Sequence, residues 1–308
     1  MRAEVTSPRQ CDPRVVIFTD DPGWHGRSLT RAFAARGIDA VYRSLTDCSF
    51  TLAAGQAGIV IPGFAPRLPR GVFVRGVPGG SLERVILRLD VLHALADVGI
   101  PVFNSGRVIE RTVDKALTSF LLAQRGLPIA RTWVCESLGG AREAVAGEFA
   151  AGRPVVLKPL FGSQGEGLQR LEREEDLVAA TPVGGVYYLQ EYLAPAAAPY
   201  RDWRVMVIDG QACFSMERRG EHWITNRAQG ATCLPAALSA DALALAEAAA
   251  AAVGADYAGV DLMCAPDGRW VIGEVNGVPA WWGLARATGA DVTEALVAAF
   301  CRRLAVAG

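Results

Sequence analysis

Residues 155–167 read VVLKPLFGSQGEG, and this run constrains the fold more than any other part of the chain. Val155, Val156 and Leu157 form the short apolar stretch of a buried strand, and Lys158 is the cation at its end. Pro159 follows, and Gly162, Gly165 and Gly167, interrupted by Ser163, Gln164 and Glu166, make a loop. Glycine lets a backbone turn sharply and brings its amides close to an anion, because no Cβ stands in the way. A strand ending in lysine and feeding such a loop can hold a polyphosphate, with a point charge below and amide donors above. The order differs from a Walker A loop, where Gly-Lys-Ser/Thr closes the glycines. It also differs from the dinucleotide fingerprint, which needs an early βαβ unit. A glycine-rich hairpin with one solvated lysine is the plain alternative, and the run alone leaves both readings open.

At 308 residues the chain has room for two or three domains, each with its own core. Hydrophobic residues at 51% and charged residues at 20% describe a globular rather than a disordered chain. A net charge of −1 with no Lys/Arg block argues against nucleic acid as the main partner. Seven scattered cysteines without a CxxC argue against a zinc ribbon or redox pair and suit reduced thiols in a cytoplasmic setting. No N-terminal apolar run marks a signal peptide, and residues 242–253 are too few to span a bilayer, so no membrane association is expected. The oligomeric state stays open, a homo-oligomer included.

Hydrophobic periodicity and turn residues give the order of elements. Strands at 15–19, 40–43, 58–61, 71–74 and 102–104, with helices at 27–36 and 82–98, predict an open parallel α/β domain over residues 1–109. A helix at 114–125 carries Lys115. Strands at 132–135, 168–171 and 186–191, the strand ending at Lys158, and helices at 141–149 and 174–180 predict a small central unit over 110–190. Residues 191–308 form the third unit. It holds a hairpin turned at Asp209-Gly210, an alanine-dominated helix between Ser239 and Gly254, and strands at 260–264 and 270–275. Trp281, Trp282 and Gly283 break the pattern before a closing helix at 292–304.

Asp261 lies in GVDLM, and Glu274 and Asn276 lie in GEVNG. Residues i and i+2 of a strand point the same way, so Glu274 and Asn276 share a face. Two carboxylates and an amide oxygen on neighbouring strands make a hard, oxygen-only site suited to Mg2+, with Mn2+ as an alternative ion. The plain alternative is a set of surface acids flanking a turn. It is weakened because Glu274 and Asn276 interrupt an apolar strand, where a charge needs a partner.

Lys115, Lys158 with its glycine loop, and the Asp261, Glu274 and Asn276 set, in this order, resemble the ATP-grasp superfamily. Within it the chain is similar to the RimK-like α-L-glutamate ligases and related amino-acid ligases. The likeness covers nearly the whole chain. It is carried by DKALTSFLLAQRGLPIARTW (114–133), the 155–167 run, LQEYL (189–193), DWRVMVIDG (202–210), MERRGEHWITNRAQGA (216–231), and GVDLM with IGEVNGVPAWWGL (259–284). It implies an ATP-grasp fold of α/β and α+β class: an N-terminal open parallel α/β domain, a small central α+β lid domain and a C-terminal domain, with ATP between the last two.

By that resemblance Lys115 and Lys158 contact the ATP phosphates. Gly162, Ser163, Gln164, Gly165 and Gly167 belong to a mobile flap over the triphosphate, and Gln190, Glu191, Tyr192 and Leu193 form the hinge at the adenine. Asp202 and Arg204 face the nucleotide and the reacting phosphate, and Arg218, Arg219 and Asn226 steady the γ-phosphate and acceptor. Arg204, Arg219 and Asn226 are thus the expected catalytic residues, and Asp261, Glu274 and Asn276 the magnesium ligands. Two departures stand out. Ile224 replaces an arginine found two residues before the matching asparagine in close relatives of this type, leaving Arg227 or Arg219 to substitute. Trp281 and Trp282 replace smaller residues, as core packing or as a flat wall for a ring-bearing substrate.

The activity so implied is an ATP-dependent carboxylate–amine ligase. A carboxylate resists amines because its oxygen leaves poorly. Transfer of the γ-phosphoryl group gives an acyl phosphate with a good leaving group, stabilised by positioning, cations and Mg2+. Arg204 or Arg219 would stabilise the oxyanion formed on amine attack, and a flap must close to keep water out. The amine is expected from an amino acid, L-glutamate, and the acceptor is expected to be a small acid such as a pterin-type one-carbon carrier. The other readings are a protein tail as acceptor, an ATP-grasp kinase and a non-catalytic nucleotide-binding module.

Overall fold

The computed structural model describes residues 11–53, 56–162, 164–193 and 198–306. Contacts group them into two compact units, one of residues up to 107 together with those from 293, the other of 108–292.

In the first unit β1 (Asp12–Phe18), β2 (Ala40–Arg43), β5 (Pro69–Val74) and β6 (Val102–Phe103) form a parallel sheet in the order β2-β1-β5-β6. Val15, Val16, Ile17 and Phe18 are fully buried, as befits a parallel strand covered on both faces. Helices α1 (Gly23–Ala34) and α2 (Leu82–Asp97) belong to this unit. A separate antiparallel hairpin pairs β3 (Ser49–Ala53) with β4 (Gln56–Val60). Its first strand escapes sequence reading because most of its side chains are exposed and no apolar face marks it. Helix α3 (Gly106–Val113), also unforeseen, leads into the second unit.

The second unit holds two antiparallel sheets. The smaller runs β7-β10-β8-β9, with β7 (Thr132–Cys135), β8 (Val155–Lys158), β9 (Gln169–Leu171) and β10 (Tyr187–Glu191). Helices α4 (Lys115–Gln124), α5 (Leu138–Ala150) and α6 (Glu174–Ala179) accompany it in the chain. Ala141 and Val145 of α5 pack on Val155, Leu157 and Leu189. The larger sheet runs β13-β12-β11-β14-β15. Its strands are β11 (Tyr200–Ile208), β12 (Gln211–Gly220), β13 (Thr232–Pro235), β14 (Tyr257–Cys264) and β15 (Trp270–Asn276).

Helix α7 (Ala240–Val253) covers one face of the larger sheet. Ser239 caps its start by accepting from the Ala242 amide, and Gly254, at φ +79°, closes it. Ala242, Ala246, Ala249 and Ala250 bury against Val205, Val207, Val260 and Leu262. These odd and even positions of β11 and β14 use up one face of the sheet, so strand alternation turns their neighbours the other way.

Two expectations are corrected at the C-terminal end. Trp282–Thr288 is a helix, α8, held by the buried Trp281 and Leu284, where the two tryptophans and Gly283 had suggested a break. The closing helix α9 (Val292–Val306), expected in the third domain, packs from Thr293 onward with the first unit. Its Phe300 ring lies 5.5 Å from Phe33, 5.9 Å from Phe73 and 5.7 Å from Phe103. Among the described residues no helix is long and apolar enough to cross a membrane.

Candidate active site

The face of the larger sheet turned away from α7 is polar. In register, Arg204 of β11 stands opposite Asp261 of β14, which stands opposite Glu274 of β15. One step along, Asp202 stands opposite Arg218 of β12. Arg204 Nε and Nη2 donate to the two Asp261 oxygens at 2.6 and 2.7 Å. Arg218 Nε and Nη2 donate to Asp202 at 2.5 and 2.7 Å, and its Nη2 lies 2.8 Å from Asp261 Oδ2. Thr225 Oγ1 donates to Asp202 Oδ2 at 2.6 Å.

The cluster is buried, and its two acids respond differently. Burial raises the pKa of Asp202 against the pull of Arg218. Burial raises Asp261 too, but the charges of Arg204 and Arg218 outweigh it and hold the group at about 2. Asp261 is therefore an anchored carboxylate in this arrangement.

The smaller sheet supplies Lys158, and helix α4 supplies Lys115. Lys158 Nζ donates to Gln190 Oε1 at 2.6 Å, and the Gln190 amide nitrogen donates to Thr132 Oγ1 at 3.0 Å. Burial pushes Lys158 down to about 8, with Glu274 partly opposing the shift. Lys115, the first residue of α4, donates to the Gly162 carbonyl at 2.7 Å and lies 3.8 Å from Glu274 Oε1. These groups meet in a cavity of about 150 Å³. Lys115, Lys158 and Arg218 line it together with Glu166, Glu191, Asp202, Asp261 and Glu274.

The glycine loop forms one wall through Gly162, Gln164 and Gly165. Gly165, at φ +75°, has no room for a side chain: a Cβ would strike Ile224 Cγ2 and come within 2.7 Å of Asn226 Oδ1. Gly167 turns at φ +71° beside Pro159 and does not line the cavity. Ser163 lies outside the described residues. Gln190, Glu191, Tyr192 and Leu193 all line the cavity. Glu191, however, is held by Arg131, whose Nη2 donates to it at 2.9 Å and also to the buried Glu148 at 2.8 Å. That bonding to Arg131 lowers the Glu191 pKa.

Several expected residues stand elsewhere. Arg219 points away from the cavity, because strand alternation places it on the face opposite Arg218; it pairs with Glu217 at 2.8 Å. Arg204 reaches the site only through Asp261. Asn276 donates its amide nitrogen to the Gly259 carbonyl at 3.4 Å and does not line the cavity. Trp281 is fully buried and is core; Trp282 has the Arg227 guanidinium 4.1 Å from its ring centre, and neither lines the cavity.

Other lining residues went unread. Tyr188 and Met263 follow from i, i+2 parity with Gln190 and Asp261. Thr225 carries no such signal. Trp223, which packs edge-on to Tyr192 at 5.9 Å, also lines the cavity.

Among the described residues no group of three His, Cys, Asp or Glu side chains can hold a metal by itself. Asp261, Glu274 and Asn276 offer hard oxygens that fit Mg2+, with ligand phosphates and waters completing its shell. Arg204 and Arg218 engage both Asp261 oxygens, so a metal there would share that carboxylate with the guanidinium groups. The arrangement suits a polyanion whose charge is shared between lysines and a divalent cation.

The profile of the RimK-like ATP-grasp domain matches residues 112–300. The tetrahydromethanopterin:α-L-glutamate ligase of Methanococcus maripaludis is 34% identical over 231 residues, covering 73% of this chain and 76% of that protein. The α-aminoadipate–LysW ligase LysX of Saccharolobus solfataricus is 28% identical over 209 residues, covering 65% and 74%. Among solved structures, the ATP-grasp ligase PsnB, complexed with a phosphomimetic variant of its minimal precursor, Mg and ADP, superposes with a TM-score of 0.72. It shares 22% identity and covers 95% of this chain and 99% of its own.

Proposed function

We propose, since this chain belongs to the RimK-like ATP-grasp family, that it joins the α-amino group of L-glutamate to the carboxylate of a small pterin-type coenzyme, with ATP and Mg2+. The chain is an ATP-grasp carboxylate–amine ligase; the two substrates are the proposal. They are supported by its similarity to the tetrahydromethanopterin-directed relative. The observation that carries the reading is the meeting of Lys115, Lys158, Asp261 and Glu274 in one cavity walled by the glycine loop.

In this reading Lys115 and Lys158 fix the phosphates, and the amides of Gly162, Gln164 and Gly165 lie over them. The hinge at 190–193 receives the base, while Arg131 holds Glu191 in a fixed orientation. Glu274, Asp261 and Asn276 would hold the metal ion, which when bound would supply positive charge against the phosphates. Arg218, anchored by Asp202, faces the transferring group and then the oxyanion formed on amine attack. Asn226 orients the acceptor beside Gly165. Arg204 acts through Asp261 as a positioning residue.

The test is phosphate release with Mg2+ and ATP across a panel of amino acids crossed with candidate acids, followed by mass spectrometry. Phosphate that appears only with L-glutamate and a pterin-type acid, with a product mass equal to their sum less water, is the expected result. ADP with a phosphorylated acceptor and no free phosphate would replace this reading with a kinase.

A further inference from the structure

A chain of hydrogen bonds ends on Lys158. Its Nζ donates to Gln190 Oε1 at 2.6 Å, and the Gln190 amide nitrogen donates to Thr132 Oγ1 at 3.0 Å and to the Tyr188 hydroxyl at 3.3 Å. The Thr132 hydroxyl donates to the Ala130 carbonyl at 2.9 Å, and the Tyr188 hydroxyl meets Ser119 Oγ at 2.8 Å. Strand register brings these groups together. Tyr188 stands opposite Lys158 in the β8–β10 pair, and Gln190 stands opposite Thr132 in the β7–β10 pair. Alternation puts all four on one face of the smaller sheet, while Leu157 and Leu189 fill the other face against α5.

The chemistry of the donors fixes the direction of every bond. An ammonium has donors only, so it takes the amide oxygen of Gln190 and turns the amide nitrogen away. The single proton of the Thr132 hydroxyl is committed to Ala130, so toward Gln190 this group accepts. The Tyr188 hydroxyl accepts from Gln190 in the same way and gives its own proton to Ser119. A reversed amide would set its N–H groups against the ammonium and against nothing that accepts. Gln190 and Tyr188 are buried, where an unmade bond is most costly. Ser119 stands one turn after Lys115 on α4, so the same bonds tie the helix of one lysine to the strand of the other.

We infer that the Gln190 side chain, oriented by Thr132 and Tyr188, is a positioning residue that aims the Lys158 ammonium at the phosphates and does not read the base. A lysine stem is flexible, and a fixed acceptor at its tip is what gives the ammonium one place. The bond to Gln190 uses one N–H of Lys158 and leaves the others for a ligand in the cavity that both residues line. The base then falls to Glu191, Tyr192 and Leu193. The inference rests on the reading of Lys158 as a phosphate cation; the role of Gln190 rests on the direction of its bonds.

The test is an equilibrium titration of the full chain with two probes, ADP in the presence of Mg2+ and adenosine, which carries the base and no phosphate. Lys158→Gln and Gln190→Met are each expected to weaken ADP about tenfold or more while adenosine stays within about twofold, since the lost bonds are charge-assisted bonds to phosphate. Thr132→Val is expected to weaken ADP about threefold or more in the same pattern, and Thr132→Ser, which keeps the hydroxyl, to bind as wild type does. Unchanged adenosine affinity also shows that each variant is folded. Loss of adenosine together with ADP in Gln190→Met would make Gln190 a base contact and overturn the inference. ADP weakened by Lys158→Gln but not by Gln190→Met would keep Lys158 as the phosphate cation and overturn the role of Gln190 alone. ADP affinity untouched by Lys158→Gln would overturn the phosphate reading and the inference with it.

Discussion

Asp202 and Arg218 face each other across the β11–β12 register and meet in a two-point ion pair of 2.5 and 2.7 Å. The same guanidinium reaches Asp261 at 2.8 Å, so one cation offsets two buried carboxylates. Arg218→Met leaves both acids short of a partner in a desolvated place. It is expected to cost about 3–5 kcal/mol of folding stability, the range for breaking a buried pair from one side. Denaturant unfolding measures this; a loss under about 1 kcal/mol would mean that Arg204 alone holds the cluster.

Lys158 gives a pH dependence of opposite sign for binding and for stability. Its folded pKa of about 8 lies below its ordinary value of 10.5. Above about pH 8 the free protein loses the charge that attracts phosphate, so nucleotide affinity should fall with rising pH. Between about 8 and 10.5 the unfolded chain binds the extra proton, so this group's contribution to stability should rise with pH. Lys158→Arg, whose charge does not titrate in this range, should flatten the affinity profile. Calorimetric titration of ADP between pH 7 and pH 10 checks both proteins; a flat wild-type profile rejects the assignment.

Gly165→Ala places a Cβ against Ile224 and Asn226 at a left-handed φ of +75°. The strain is expected to be about 1–2 kcal/mol, released by moving the loop off the residue 224–226 segment. Ligation should fall about tenfold or more, while ADP affinity, carried by the lysines, falls less. Wild-type turnover in this variant would separate the loop from the chemistry.

Glu274→Gln keeps the size of the side chain and removes a hard anionic oxygen. The Mg2+ concentration for half-maximal turnover is expected to rise about tenfold or more. An unchanged Mg2+ titration would remove Glu274 from the metal set.

Much of this site was legible because strand parity and glycine loops are local. Lys158 at a strand end, Glu274 and Asn276 two apart, and Asp209-Gly210 at a hairpin turn each declare themselves within a few residues. What parity could not give was which face is which. Arg218 and Arg219 are neighbours in sequence, and only pairing with Asp202 places the first in the cavity and the second outside. Thr225 bonds Asp202 across 23 positions, a relation that no local pattern encodes. Trp282–Thr288 was obscured because two tryptophans and a glycine carry little helix preference, and burial of Trp281 and Leu284 overrides it.

The return of α9 to the first unit has a consequence for biosynthesis. Phe300 completes an aromatic cluster with Phe33, Phe73 and Phe103, and the 185 residues of the second unit are translated between them. A ribosome making this chain exposes three of those rings long before the fourth exists. The catalytic unit, contiguous in sequence, can close as soon as it emerges, whereas the first unit must wait for the last helix. Until then the unfinished phenylalanine cluster is the surface on which a chaperone would act.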